Sequence, residues 1–259
     1  KLNADYNRIE NTITIDPKVI KYKYRISGNH YQGIENSVAV YKNLAYFADN
    51  GGWLQCIDLN TLRPVWIKDV TDDTDSTIVI EEEAEDQAAL YTACEVDKQG
   101  AKGMSHIRKV DALSGQLIWE KPYECYSELG DSPINGGALA TPVIGKNSLK
   151  QMVIYNLARC GGFSKGLLIA LDKSSGEEIW RLELPDYSWS SPVDIYTKEG
   201  AGYIILCDSA GKMYLIDGLT GRVLDNIDLG ANVEGSPAVF ENIAVVGTRG
   251  QKIFGIIIR

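Results

Sequence analysis

Four kinds of residue in this chain of 259 residues have types or spacings suited to chemistry. Gly162-Phe163-Ser164-Lys165-Gly166 fits Gly-x-Ser-x-Gly, the sharp strand-to-helix turn that exposes a serine nucleophile. Such a serine needs a histidine base, and the sequence holds two histidines, His30 and His106. The five residues lead straight into the apolar stretch 167–171 with no helical periodicity behind them, so they read as a β-turn. The stretch from Asp69 to Asp75 lacks the alternation and terminal Glu of a calcium loop, and two acidic runs stand out, Asp72-Asp73-Thr74-Asp75 and Glu81-Glu82-Glu83-Ala84-Glu85-Asp86. They read as a solvated loop or edge that resists strand-to-strand aggregation. Cys56, Cys94, Cys125, Cys160 and Cys207 are scattered without Cys-x-x-Cys spacing, as expected of mostly buried thiols rather than a disulfide framework or a zinc site. No metal ligand set is read from these residues, and no cofactor is expected. A pair of carboxylates brought together by the fold for glycoside hydrolysis stays open as an alternative.

The elements that must position these residues emerge when the chain is laid on itself. Asp58 is followed by Thr61 and Trp66, Asp111 by Ser114, Gly115 and Trp119, Asp172 by Ser175, Gly176 and Trp180, and Asp217 by Thr220 and Gly221. Each unit reads as a hairpin: a strand of period two, an Asp whose carboxylate bonds the turn backbone, a Gly for the left-handed position, and a Trp on the returning strand. The Trp is large enough to fill the wedge between neighbouring sheets, so these Asp and Trp residues read as structural. Upstream of the units come Ser190-Ser191-Pro192-Val193, Gly235-Ser236-Pro237-Ala238 and Ala140-Thr141-Pro142-Val143, with weaker copies at Ser37 and Ser76. Each leads into a further apolar strand. Strand, strand, strand, turn, strand is one propeller blade, and the starts at Ser37, Ser76, Thr141, Ser191 and Ser236 predict about five. Residues 121–137 read as a surface loop. The fifth repeat ends with the chain, and residues 19–25, where Tyr24 stands eight after Asp16, are expected to supply its outer strand and close the ring.

Composition sets the outer limits. Apolar residues make up 44% and charged residues 24%, the balance of a globular domain rather than a disordered chain. A net charge of −9 argues against nucleic acid, whose phosphates demand a basic face. No apolar run approaches the ~18 residues that cross a bilayer. The chain opens on Lys1 without a signal peptide, and is expected to be a trimmed piece that has lost its targeting information.

The pattern Gly-x-x-x-x-[aliphatic]-Asp-x-x-[Ser/Thr]-Gly-x-x-x-Trp, preceded by Ser-Ser-Pro-Val, resembles the pyrroloquinoline-quinone repeats. These build quinoprotein alcohol dehydrogenases and the lipoprotein of the outer-membrane barrel-assembly machinery. Both of those have eight blades, whereas this chain has room for about five. The resemblance implies a β-propeller in an extracytoplasmic, bacterial setting, periplasmic or cell-surface. The dehydrogenases pack a vicinal Cys-Cys pair on their quinone and hold calcium beside an acidic base. This chain has no adjacent cysteines, so quinone binding is not expected.

The sequence therefore predicts an all-β protein, one β-propeller domain over residues 1–259 with about five four-stranded antiparallel blades, closed by an N-terminal strand. Its expected role is non-catalytic: a binding or scaffold module presenting a loop-rich face to a protein, peptide or glycan. A hydrolase or lyase with acids at the axis, and the sensor domain of a larger receptor, are the alternatives. The loops that crowd one face carry His30, Tyr31, Asn50, Arg159, Tyr187, Trp189, Asp208, Glu234 and Arg249. Aromatic and Arg side chains are over-represented among binding hot spots, and the lengths of these loops differ from blade to blade.

Overall fold

In the computed structural model, which describes residues 3–7, 12–16, 33–131 and 133–259, the repeats become antiparallel sheets in chain order. Blade 1 comprises Ala39–Tyr41, Leu44–Ala48, Trp53–Asp58 and Arg63–Asp69. Blade 2 comprises Val79–Ala84, Gln87–Ala93, Lys102–Asp111 and Leu117–Tyr126. Blade 3 comprises Val143–Ile144, Met152–Ala158, Gly166–Asp172 and Glu178–Leu184. Blade 4 comprises Val193–Tyr196, Gly202–Cys207, Lys212–Asp217 and Val223–Asp228. Blade 5 shows three strands, Ala238–Phe240, Ile243–Thr248 and Lys252–Ile257. Asn3–Asn7 and Thr12–Asp16 pair as a separate hairpin. Among the described residues there is no α-helix.

Each four-stranded blade closes on the same turn. Asp58 Oδ1 accepts from the Asn60 and Thr61 amides at 2.7 and 2.9 Å. Asp111 Oδ1 accepts from the Ser114 amide, Asp172 Oδ1 from the Ser174 and Ser175 amides, and Asp217 Oδ1 from the Leu219 and Thr220 amides, all at 2.7–3.0 Å. The next residue takes a left-handed conformation, with φ of 68° at Gly115, 73° at Gly176 and 72° at Gly221, and the two strands then shift register by one β-bulge.

The tryptophans reach forward from one blade to the next. Trp66 Nε1–H donates to Ala112 O at 3.1 Å, Trp119 to Lys173 O at 2.9 Å and Trp180 to Gly218 O at 2.9 Å. Each ring lies on the turn glycine of the following blade. A Cβ on Gly115, Gly176 or Gly221 would come within 2.6, 2.7 or 2.5 Å of Trp66, Trp119 or Trp180 respectively. Glycine is thus needed twice at one position, for its φ and for the ring above it. Blade 1 has Leu62 at this position with φ 55°, and no tryptophan packs on it among the described residues.

The serines of the Ser-Pro pattern form a second inter-blade series. Ser191 Oγ accepts from the Thr141 amide at 3.1 Å, Ser236 Oγ accepts from the Ser191 amide at 3.0 Å, and Ser76 Oγ–H donates to Ala140 O at 2.7 Å.

Between the blades lie separate apolar cores, and the period-two alternation of the strands feeds them. Val153 and Tyr155 face blade 2, whereas Ile154 between them faces blade 4. Ile204 and Leu206 face blade 3, and Ile205 and Cys207 face blade 5. The far face of blade 5 is apolar and open, with Phe240 77% and Ile253 80% exposed. The strand expected to cover it and close the ring, residues 19–25, lies outside the described residues.

Two expectations need correction. Residues 121–126 are not loop but the continuation of the outer strand of blade 2, and Gly136–Gly137 pairs with Glu95–Val96, so the true loop is 127–135. The run at 72–75 is not solvated: Asp72 is fully buried and Asp73 nearly so. Asp72 accepts from the amides of Asp97, Lys98 and Gln99 at 3.0–3.3 Å, pinning that loop to the end of blade 1.

The two demands on the turn glycine can be separated. Gly176→Ala meets both strain and the Trp119 ring, whereas Gly230→Ala has φ 78° with nothing within 4 Å of the added methyl. Gly230→Ala should cost about 1 kcal/mol, and Gly176→Ala about 1–3 kcal/mol more from overpacking. Urea denaturation midpoints of the two variants measure the difference.

Candidate functional site

Strands 1 and 3 of a blade run parallel to each other, so the loops after strands 2 and 4 emerge at one end. Asn50, Glu95, Arg159, Asp208 and Arg249 follow second strands, and Asp73, Asp75, Tyr187, Trp189 and Glu234 lie between successive blades. The described loop residues chosen from sequence therefore share one end of the molecule. Two clusters form there.

The first is carboxylic. Oxygens of Glu35, Asp73 and Asp75 lie within 4.8 Å of one another. Asp73 is held by Asn50 Nδ2–H at 3.0 Å and by the Thr74 amide at 2.7 Å. Its backbone carbonyl accepts from the Glu95 amide at 2.9 Å, which brings the Glu95 carboxyl alongside. Glu95 is 1% exposed; Asn135 bonds its side chain, and its Oε2 has no hydrogen-bond partner. Asp75 Oδ1 is likewise buried without a partner. Burial pushes the Asp73 carboxyl up to about 6, aided by the negative charge of Glu35. Burial and the charge of Asp73 push Asp75 up to about 7, and burial with both aspartates drives Glu95 well above the usual carboxylate range. Sequence spacing hid this cluster because its members come from three loops.

The second cluster is aromatic. The Arg159 guanidinium lies 4.8 Å from the Tyr187 ring centre, and Tyr187 lies 5.6 Å from Trp189. Trp189 Nε1–H is buried and has no acceptor among the described residues. Arg159 itself is buried, with φ 54°, in a short segment where Gly161 and Gly162 are left-handed too. Glu234 pairs with Arg249 at 2.8 Å, and that Arg side chain is exposed. Asp208 is a strut rather than a rim group: it has no exposed surface and accepts from the Lys212 amide at 2.8 Å and Tyr214 O–H at 2.7 Å. His30 and Tyr31 lie outside the described residues. Ser164 sits in a turn before the strand Gly166–Asp172, and His106 pairs with Glu120, so among the described residues no Ser-His couple forms at the Gly-x-Ser-x-Gly segment.

This architecture is that of a β-propeller whose repeat resembles the quinone class, and comparisons with known proteins say what it is similar to. The family model described as outer membrane protein assembly factor BamB matches residues 164–257. The structure is similar to BamB from Moraxella catarrhalis, with a TM-score of 0.58 at 15% identity over 86% of this chain and 61% of that one. It is similar also to a europium-containing methanol dehydrogenase, with a TM-score of 0.58 at 13% identity over 88% of this chain and 47% of that one. In sequence it is 25% identical over 122 residues to methanol dehydrogenase [cytochrome c] subunit 1 of Methylobacterium organophilum. That match covers 47% of this chain but 16% of the dehydrogenase. Residues 164–257 thus match BamB-like repeats, the fold is shared with BamB and quinoprotein dehydrogenases, and the chain spans less than two thirds of either kind of relative.

The quinone class implies a metal and a quinone, and the residues fit them unequally. Orphaned oxygens of Asp75 and Glu95 beside the Glu35–Asp73–Asp75 set are hard donors suited to a cation such as Ca²⁺. For the quinone, the vicinal cysteines of the dehydrogenases have no counterpart in the sequence.

The acid cluster leaves a signature in stability. Asp73 and Asp75 titrate higher when folded than at the ~4 of an unfolded carboxyl. Between those values the folded chain holds protons that the unfolded chain releases, so their contribution is complete below about pH 4 and is lost as pH rises through 6–7. The melting temperature should fall from pH 5 to pH 8, and Asp75→Asn should flatten that slope in differential scanning calorimetry.

Proposed function

We propose that this chain is a non-catalytic scaffold, a single propeller domain over residues 1–259 that offers its loop-rich end to a protein partner. The observation that carries this reading is the aromatic cluster. Tyr187 and Trp189 are half-buried and pack on each other, with the buried Arg159 guanidinium against the Tyr187 ring. Rigid aromatic side chains lose little entropy on binding, and Arg249 across the next blade adds a cation at the rim. The description of the matching family as an assembly factor of outer membrane proteins supports a protein partner over a peptide or a glycan. It also supports an extracytoplasmic, bacterial location. No helix among the described residues is long and apolar enough to cross a membrane.

The experiment is a binding comparison. Arg249→Ala, at an exposed side chain, should cost roughly 0.5 kcal/mol or less, and Trp189→Ala, at a half-buried one, about 1–3 kcal/mol, so the chain carrying both should melt several degrees lower but in one cooperative transition. Cross-linking capture from an envelope extract, followed by titration of the captured protein, should show affinity at least about tenfold weaker, equivalent to ~1.4 kcal/mol. Undiminished affinity would move the site elsewhere.

A second reading, hydrolysis by acids at the loop-rich end, is favoured by the carboxylic cluster. A carboxyl kept protonated near neutrality can serve as a general acid, with an ionised neighbour as base or nucleophile. On that reading the chain cleaves chromogenic glycosides, and Glu95→Gln lowers the rate at least about a hundredfold. Equal rates for parent and variant would remove it.

A further inference from the structure

Cys125 and Cys160 are 35 residues apart in sequence yet face each other across two blades. Cys125 ends the outer strand of blade 2, and Cys160 follows the second strand of blade 3. They form an isolated antiparallel β-bridge. The Tyr126 amide donates to Arg159 O at 3.1 Å, so the flanking residues carry the hydrogen bond and the cysteines occupy a non-hydrogen-bonded pair. In such pairs the Cα atoms sit about 4.5 Å apart and the side chains converge, which lies within the 4.4–6.8 Å that a disulfide spans. The two side chains perturb each other's ionisation, as expected of thiols that face each other across a bridge.

We propose that Cys125 and Cys160 are a disulfide-forming pair that staples blade 2 to blade 3 when the chain meets a thiol-oxidising environment.

The two sulfurs are unequal in a way that sets the order of reaction. Cys125 is fully buried, whereas Cys160 is partly exposed. Cys160 also lines a surface groove with Lys165 and Arg181. The facing Cys125 thiol, with the Arg181 guanidinium close by, holds the Cys160 thiol below its ordinary value, so Cys160 is the sulfur that ionises. Its thiolate attacks one sulfur of a disulfide oxidant such as oxidised glutathione, forming a mixed disulfide and expelling one thiolate, which takes up a proton. Cys125 then loses its proton and attacks Cys160 Sγ, which expels the second thiolate. The protein loses two electrons and two protons, and one oxidant disulfide becomes two thiols. Arg181 and Lys165 attract the carboxylates of such an oxidant. Gly161 and Gly162, both left-handed, let the Cys160 loop adjust. The other three cysteines are buried and have no such exposed partner.

The staple does not depend on what the loop-rich end binds, although it would fix the segment that carries Arg159. It is tested on the full chain. After incubation with oxidised glutathione and quenching, alkylation in denaturant should label three of the five cysteines, and the peptide map should contain one linked pair, Cys125 with Cys160. Cys125→Ser should instead hold glutathione on Cys160 as a stable mixed disulfide. Amide exchange over residues 159–162 should slow at least about tenfold on oxidation of the parent. Five alkylated cysteines after oxidation, or a linked pair that joins Cys125 to Cys94, would overturn the proposal.

Discussion

The contact on which the described architecture depends is an indole laid across a glycine. At three successive joints the outer strand of one blade sends a Trp forward, its N–H to a carbonyl and its ring to a turn glycine. Each half of the contact constrains the other. The left-handed φ keeps the turn tight enough to lie under the ring, and the missing side chain lets the ring approach. The Asp that anchors the turn through its carboxylate places both. A repeat that looks like four loosely related residues is therefore one mechanical part.

Around this frame the charges are sorted by what surrounds them. Two buried lysines stand where blades 2 and 3 meet: Lys109 pairs with Glu83 of its own blade and Lys173 with Glu81 of blade 2, at 2.5 Å each, and both lysines also bond carbonyls. The unpaired carboxyls gather at the loop-rich end, where Glu35, Asp73, Asp75 and Glu95 share one region. Like charges kept together in partial burial work against stability, and they stay neutral in part by raising their own proton affinity. Such clusters are common at functional sites because function, not folding, retains them. The aromatic group around Tyr187 occupies the same end, so both side-chain clusters lie where the loops vary.

Most of the scaffold was legible in the sequence because its parts are local. Asp58, Asp111, Asp172 and Asp217 bind amides two or three residues away, and the period-two strands declare their own faces. The blade starts were readable from Ser-Pro even though the serines act between blades. What escaped was assembled from distant segments. Asp72 and Asp73 look solvated in a run of acids, yet one caps a loop 25 residues onward and the other is buried against Asn50. Asp208 looked like a rim residue because loop position says nothing about which way a carboxylate turns. The cysteine pair was invisible for the same reason, since spacing along the chain does not report a bridge between strands of different blades.

The tryptophan contact has a direction, and direction has a consequence for how the array moves. Blades 1 to 4 are joined by three identical latches. The fourth blade has Asp225 where the ring would stand, opposite Leu215 as Trp180 stands opposite Ala170. Blade 5 is held by its shared apolar core, the Ser236 contact and backbone bonds such as Arg249 N–H to Asn232 O. Where stability is a sum of units and nearest-neighbour joints, a joint without its latch opens more readily than one that has it. Among the described residues, the joint between blades 4 and 5 lacks the indole that the three joints before it share. The rim pair Glu234–Arg249 sits at that joint, while Tyr187 and Trp189 lie at a latched one.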